Sequence, residues 1–259
     1  MSQQQHAFQA KNISEVDRVA RQALAILALK EPAGAKMLKP CNSNSEFKHL
    51  GALTDGLFKA STSQNRDEMK DVLSALKAQG IRDQTLAFEA VPEIARRLGK
   101  AWEDDSLSFG AVTIGCARLQ TLVLQLCENA ADHSVGIGVN RRNCLVTVPK
   151  NAHHTLGAIV LTKQLRDAGH HVRLALGTTP ETQCNLVNSQ KFDAIMISAS
   201  RSEHPETLRA LVKNSQAKGA NSKVFIGGSI LEGNTQLVAA MGSDYVTNDW
   251  KDALDLCVS

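Results

Sequence analysis

Apolar residues recur at steps of three and four along the first half of the chain. In the second half they gather into short solid runs, and the change falls near Val135–Asn140, where Gly136 and Gly138 predict a hinge. Steps of three and four place side chains on one face of an α-helix, whereas short apolar runs suit strands buried on both faces. Val16, Val19, Ala20, Ala23, Leu24 and Leu27 mark one amphipathic helix over residues 13–30, with Ser14 and Asp17 spaced as in a capping box. The Pro-, Gly-, Asn- and Ser-containing stretch Glu31–Glu46 has no period and reads as a linker. From Phe47 to Asp132 the helical period returns, broken near Ser61–Asn65, Gly80–Asp83 and Asp104–Ser108, which predicts four helices. Val91, Ile94, Leu98 and Trp102 form one stripe, and Val112, Cys116, Leu119, Val123 and Leu126 the next. A small antiparallel bundle buries such stripes.

After the hinge, candidate strands at 144–148, 171–176, 193–198, 223–227 and 244–247 alternate with helical stretches of crossover length. That order predicts an α/β domain with a five-stranded parallel sheet of flavodoxin or Rossmann type, following the bundle. The expected organisation is an N-terminal helix and linker (1–46), a four-helix bundle cap (47–135) and a Rossmann-like domain (141–259). Ligands of such sheets lie beyond the carboxyl ends of the strands, where the strand order reverses, commonly between the first and third strands. This rule selects the loop Pro149–Thr155, with His153 and His154, and the loop Ser198–Ser202, with Ser198, Ser200 and Arg201. A neutral imidazole is a good axial ligand for cobalt or iron, and a helix start at Thr155, Leu156 and Gly157 would fix its loop; two solvated surface histidines would look the same. Gly227 and Gly228 after the fourth strand either let a bulky ligand approach the backbone or make a plain tight turn.

Composition narrows the function classes. With 43% apolar and 21% charged residues in 259, the chain has ample core for two domains. A formal charge of +3 without a Lys/Arg stripe predicts weak or no direct contact with nucleic acid, and residues 1–46 hold too little structure for a DNA-reading module. Cys41, Cys116, Cys127, Cys144, Cys184 and Cys257 form no Cys-x-x-Cys pair, so zinc and thioredoxin motifs are absent and reduced thiols are expected. No secretory leader is evident and no run approaches the ~18 apolar residues of a span, so a cytoplasmic protein without membrane contact is expected. Neither a G-x-G-x-x-G, a Walker lysine motif nor a Gly-x-Ser-x-Gly elbow occurs, which leaves dinucleotide, NTP and hydrolase readings without support.

Ala152-His153-His154-Thr155-Leu156-Gly157, Ser198-Ala199-Ser200 and Gly227-Gly228 resemble the signature of cobalamin-binding domains: Asp-x-His-x-x-Gly after strand one, Ser or Thr after strand three, Gly-Gly after strand four. The string Leu98-Gly99-x-x-Trp102-x-x-Asp105-x-x-x-Phe109-x-x-Val112-Thr113-x-Gly115-x-x-Arg118-Leu119-Gln120 is similar to the helical cap of the photosynthesis-gene antirepressors of purple bacteria, the AerR/PpaA group. Together the resemblance covers residues 47–259. It implies cobalamin, in hydroxo or another form, bound through His154 as cobalt ligand with Thr155, Gly157, Ser198, Ser200, Gly227 and Gly228 around it. Trp102, Val112 and Thr113 would face the outer side of the ring, unless Trp102 is simply core, and His6 is a second candidate ligand unless merely solvated.

Two departures sharpen this expectation. The signature Asp, which in cobalamin-dependent methyltransferases hydrogen-bonds the histidine and relays a proton, is Ala152 here. The Glu-His pair found ten and eleven residues after the tryptophan in light-sensing repressors is Val112-Thr113. The resemblance therefore implies a non-enzymatic, light- or redox-responsive transcriptional regulator that acts through a repressor of photosynthesis and tetrapyrrole genes of the CrtJ/PpsR type. A corrinoid carrier subunit of a methyltransferase, a haem-binding sensor held by the same histidine and a ligand-free interaction module are the alternatives.

Overall fold

The computed structural model describes residues 36–37, 51–65, 67–128, 141–152, 154–216, 222–232 and 238–257. The expected helix at 13–30, the hinge 135–140, His6, Cys41 and His153 lie outside them. Four helices follow one another: α1 (Gly51–Thr62), α2 (Glu68–Ala78), α3 (Asp83–Thr85 continuing through Leu86–Ala90 into Val91–Glu103) and α4 (Phe109–Glu128). Their ends fall at the breaks read from the sequence. One departure is the wide π turn Leu86–Ala90 inside α3. Pro92 stands in the first turn of the Val91–Glu103 segment; it cannot donate to an i−4 carbonyl and crowds the preceding turn, and widening that turn relieves both.

The bundle core is built by Leu57, Leu76, Leu86, Ile94, Leu98, Leu119, Val123 and Leu126. Arg118 ties α4 to the end of α1 by donating to the carbonyls of Ala60, Ser61 and Ser63 at 3.1, 3.1 and 2.6 Å. Those oxygens lie at the C-terminal end of α1, where carbonyls lack helical donors, so one guanidinium supplies a cap from another helix. The predicted stripes are only partly buried: Trp102 is 49% exposed, and Val112 and Cys116 are half-buried. Trp102 follows Leu98 by four residues at the end of α3, and periodicity carries no information on where the packing against a partner helix stops.

By length and composition Phe109–Cys127 of α4 is apolar enough to cross a bilayer, contrary to the expectation from the sequence. In the fold it is a bundle helix whose Leu119, Leu122, Val123 and Leu126 face the shared core.

The second half forms β2 (Asn143–Pro149), α5 (Leu156–Asp167), β3 (His171–Thr178), α6 (Pro180–Ser189), β4 (Ala194–Ser198), α7 (Pro205–Gln216), β5 (Lys223–Gly227), β6 (Tyr245–Val246) and α8 (Trp250–Asp255). With β1 at Lys36–Met37, all pairings are parallel, in the order β1-β6-β5-β4-β2-β3. The added edge strand β1 is Lys36–Met37, paired with Tyr245–Val246, so the segment read as linker contributes a sixth strand. Two residues leave no periodic trace, which is why it was illegible.

The two faces of the sheet read directly from alternation. Leu145, Ile195, Ile197, Val224 and Ile226 pack against α6 and α7 through Leu186, Leu208, Leu211 and Val212. Cys144, Val146, Val148, Met196 and Phe225 pack against α5 and α8 through Ala158, Leu165, Ala253 and Leu254. Helix α5 serves both domains, since its Leu156 and Val160 belong to the bundle core. Burying two such side chains contributes about 1.5–3 kcal/mol each, so apolar contact is the main cement between bundle and sheet.

Candidate functional site

The chain passes from β2 to its neighbour β3 on one side and then places β4 on the other. The order therefore reverses between β2 and β4, and the loops after these two strands flank the crevice there. The first loop leaves β2 through a turn in which Asn151 takes φ 70°, a left-handed value that asparagine tolerates. Lys150 N–H donates to Thr178 O at 2.9 Å and Ala152 N–H to Pro149 O at 3.2 Å, anchoring the turn to the sheet. His154 follows, exposed, with no hydrogen-bonding partner among the described residues. Its imidazole is therefore open to a ligand.

Thr155 stands at the N-cap of α5 but makes no side-chain cap; instead its Oγ1 accepts from Nε2 of Gln120 on α4 at 2.9 Å. Gly157 is exposed, and a methyl group there would meet no atom within 4 Å, so the space above the first turn of α5 is open. A glycine at that place is not needed for protein packing.

In the second loop, Ser198 is half-buried at the end of β4 and in register with Gly227. Ser200 is buried; its Oγ donates to Glu203 Oε1 at 2.8 Å and lies 2.8 Å from Ser202 Oγ, a network that holds the loop to itself. Arg201 reaches across to Glu103 of the bundle at 3.4 Å and to Glu232 at 2.9 Å, a residue in the short 3-10 turn Ser229–Glu232 beyond β5. All three are exposed, so this bridge sets register more than it stabilises.

Gly227 and Gly228 have a structural cause of their own. A Cβ on Gly227 would lie 2.5 Å from the carbonyl oxygen of Thr247, and Gly228, at φ +107°, passes hard against the backbone of Ala199. Gly227 O accepts from Ala199 N at 2.8 Å, and Gly228 N–H donates to Asn248 Oδ1 at 2.6 Å. The pair thus lets the ends of β4, β5 and β6 close on one another.

The bundle brings an aromatic pair toward this region. Trp102 and Phe109 meet edge to face at 6.3 Å, and Phe109 is 71% exposed. Both flank Glu103, the residue bridged to the second loop. Half-buried Val112 and exposed Thr113 follow on α4; the Thr113 hydroxyl is engaged with Phe109 O at 2.8 Å. The described residues singled out from the sequence lie at the carboxyl ends of β4 and β5, in the loops after β2, β4 and β5, in the first turn of α5, or at the end of α3 and the start of α4. Gln120, Glu103 and Glu232 were missed as site residues. Gln120 lay inside the cap string, but nothing in its spacing announced a contact across domains.

Among the described residues no cluster of three or more His, Cys, Asp or Glu could hold a metal ion by protein ligands alone. A single exposed imidazole suits a metal that arrives within its own macrocycle. Cys144 and Cys257 are not rivals: burial pushes the Cys144 thiol up to about 12 and the Cys257 thiol up to about 11, far from thiolate chemistry.

Residues 142–257 match the family model of the B12 binding domain. A Rhodobacter capsulatus protein described as an uncharacterized 20.5 kDa protein in the bchF-crtJ intergenic region is 34% identical over 175 residues, covering 67% of this chain and 90% of that protein. The solved monomethylamine corrinoid protein of Methanosarcina barkeri superposes with a TM-score of 0.66 at 12% identity, covering 81% of this chain and 98% of that one. At that identity the likeness establishes the fold alone. A cobalamin-binding protein from Desulfitobacterium hafniense also aligns, at a TM-score of 0.42 and 15% identity over 80% of this chain and 98% of that one.

The class is a B12-binding domain of α/β fold over residues 142–257, preceded by a helical cap. The chain belongs to the B12-binding proteins, in one family with the Rhodobacter capsulatus protein of the bchF-crtJ region.

Proposed function

We propose that this protein is a cobalamin-binding, light- or redox-responsive antirepressor that acts on a CrtJ/PpsR-type repressor of photosynthesis genes. The observation that carries the reading is the setting of His154: an exposed imidazole at the switch point, without a hydrogen-bonding partner among the described residues, on a loop that the bundle itself touches through Gln120. The relative from the bchF-crtJ region supports the regulatory half by the neighbourhood its description names.

In this reading His154 would hold the cobalt, the open space at Gly157 would admit part of the macrocycle, and Trp102 with Phe109 would screen it from water. When bound, the cobalamin would supply a cobalt centre whose ligation responds to light or redox state. Val112 and Thr113 would offer no acid, base or metal ligand on that side. The signal must reach the surface by moving the bundle, because a ligand shifts only an equilibrium whose two states it binds differently. Arg201, Glu103 and Glu232 join bundle to sheet by exposed pairs that are cheap to break, which suits a movable cap.

The fold likeness to a corrinoid protein also favours a carrier subunit, but Ala152 removes the proton relay that methyl transfer draws on. The test is release of a CrtJ/PpsR-type repressor from its operator, followed by fluorescence anisotropy with apo- and cobalamin-loaded protein in dark and light. Release that needs cobalamin and changes with illumination or reductant supports the reading. Unchanged repressor binding overturns it, and transfer of a methyl group from the loaded protein to an acceptor would establish the carrier.

A further inference from the structure

We infer that Gln120 is a positioning residue for His154, and that it couples ligand binding at the sheet to the placement of the bundle. The inference rests on the reading of His154 as the axial ligand. The position two residues before the histidine is Ala152, which has no polar side chain to orient an imidazole. On the other side of His154, Thr155 carries the one described side-chain hydrogen bond between this loop and the bundle, 2.9 Å from Gln120 Nε2. That contact costs the helix its ordinary cap: Thr155 sits at φ −98°, ψ −14° and its hydroxyl satisfies no N–H of α5.

Gln120 lies on α4 between Leu119 and Leu122, both buried, so its backbone moves only with the bundle. Thr155 is bonded to His154 and begins α5, whose Leu156 enters the bundle core. A shift of α4 therefore pulls on the residue next to the ligating histidine. By linkage, a cobalt bond that fixes His154 restrains α4 to the same degree. Partners outside the ligand set that orient a metal-bound histidine change metal affinity by about 10–100-fold on removal.

The experiment is a titration of full-length wild type, Gln120→Ala, Gln120→Glu and His154→Ala with hydroxocobalamin, read as dissociation constant and as the histidine-bound absorption spectrum. Glutamate keeps the reach and accepts from the Thr155 hydroxyl. Gln120→Ala is expected to weaken binding roughly tenfold and to lower the histidine-bound fraction. Gln120→Glu is expected to restore both. Gln84→Ala, which removes a 2.8 Å bond from α3 to Asp167 at the far end of α5, is expected to change neither. An unaltered spectrum and affinity in Gln120→Ala, with the wild-type signal still lost in His154→Ala, would overturn the inference alone. A signal that survives His154→Ala would overturn the ligand reading on which it stands. Equal weakening by Gln84→Ala and Gln120→Ala would reduce Gln120 to general cohesion between domains and would also overturn it.

Discussion

Replacing Gly228 by alanine separates two explanations of the Gly-Gly pair. If the glycines serve only to admit a ligand, the ligand-free protein will not notice a methyl group; the structure says that it will. The backbone at φ +107° is open to glycine and strained for alanine, and the added Cβ falls against the Ala199 peptide. To relieve the overlap the loops after β4 and β5 must part, which endangers the bonds Ala199 N–H to Gly227 O at 2.8 Å and Gly228 N–H to Asn248 Oδ1 at 2.6 Å. Strain of about 1–3 kcal/mol and two bonds of about 1 kcal/mol each give a loss of roughly 3–5 kcal/mol. A domain stable by about 5–15 kcal/mol would show that plainly. Urea unfolding of the apoprotein, followed by circular dichroism, is expected to give a lower midpoint with an unchanged slope. An apoprotein midpoint equal to wild type, with cobalamin binding alone impaired, would refute the packing argument.

Further outcomes follow from single residues. Arg118→Ala removes all three carbonyl contacts to the end of α1 and should destabilise the bundle by about 1–3 kcal/mol in the same assay, while Arg118→Lys should recover only part, since its ammonium reaches one bond less far than the Nη1 that makes all three contacts. His170 is held below its ordinary value by burial and by the nearby Arg142 charge, and its Nδ1 accepts from Arg142 N–H at 3.3 Å. The unfolded chain therefore binds more protons there, so stability is full above the unfolded histidine value of about 6.5 and falls as pH drops through the folded value below it. His170→Asn should flatten that part of the pH dependence of the urea midpoint; an identical slope would exclude His170 as its source. Cys144, buried and with its thiol pushed up to about 12, should resist iodoacetamide at neutral pH until the protein unfolds, as peptide mapping of the alkylated protein will tell.

Strong periodicity made most of the scaffold legible. Leu145, Val146 and Val148 announced a central strand, and Leu119, Val123 and Leu126 a core stripe, because burial on a sheet or helix face leaves a repeat in the sequence. The carboxyl-edge rule then located the two loops before any family was considered. What stayed hidden had no repeat to leave. Lys36–Met37 is a two-residue strand, the π turn at Leu86–Ala90 answers a proline rather than a pattern, and Trp102 shares the spacing of Leu98 without sharing its burial. Gln120 and Arg201 work across domains, where contact depends on how two units dock. The resemblance to cobalamin-binding domains named His154, whereas spacing alone could not tell a ligand from a solvated loop histidine.

The most direct test of the account is an absorption titration of wild type and His154→Ala with hydroxocobalamin, with haemin run separately, in dark and light. The account predicts a histidine-dependent cobalamin spectrum in wild type that is lost in a variant of unchanged far-ultraviolet circular dichroism. The same spectrum in both proteins, or a response to haemin and none to cobalamin, would contradict it.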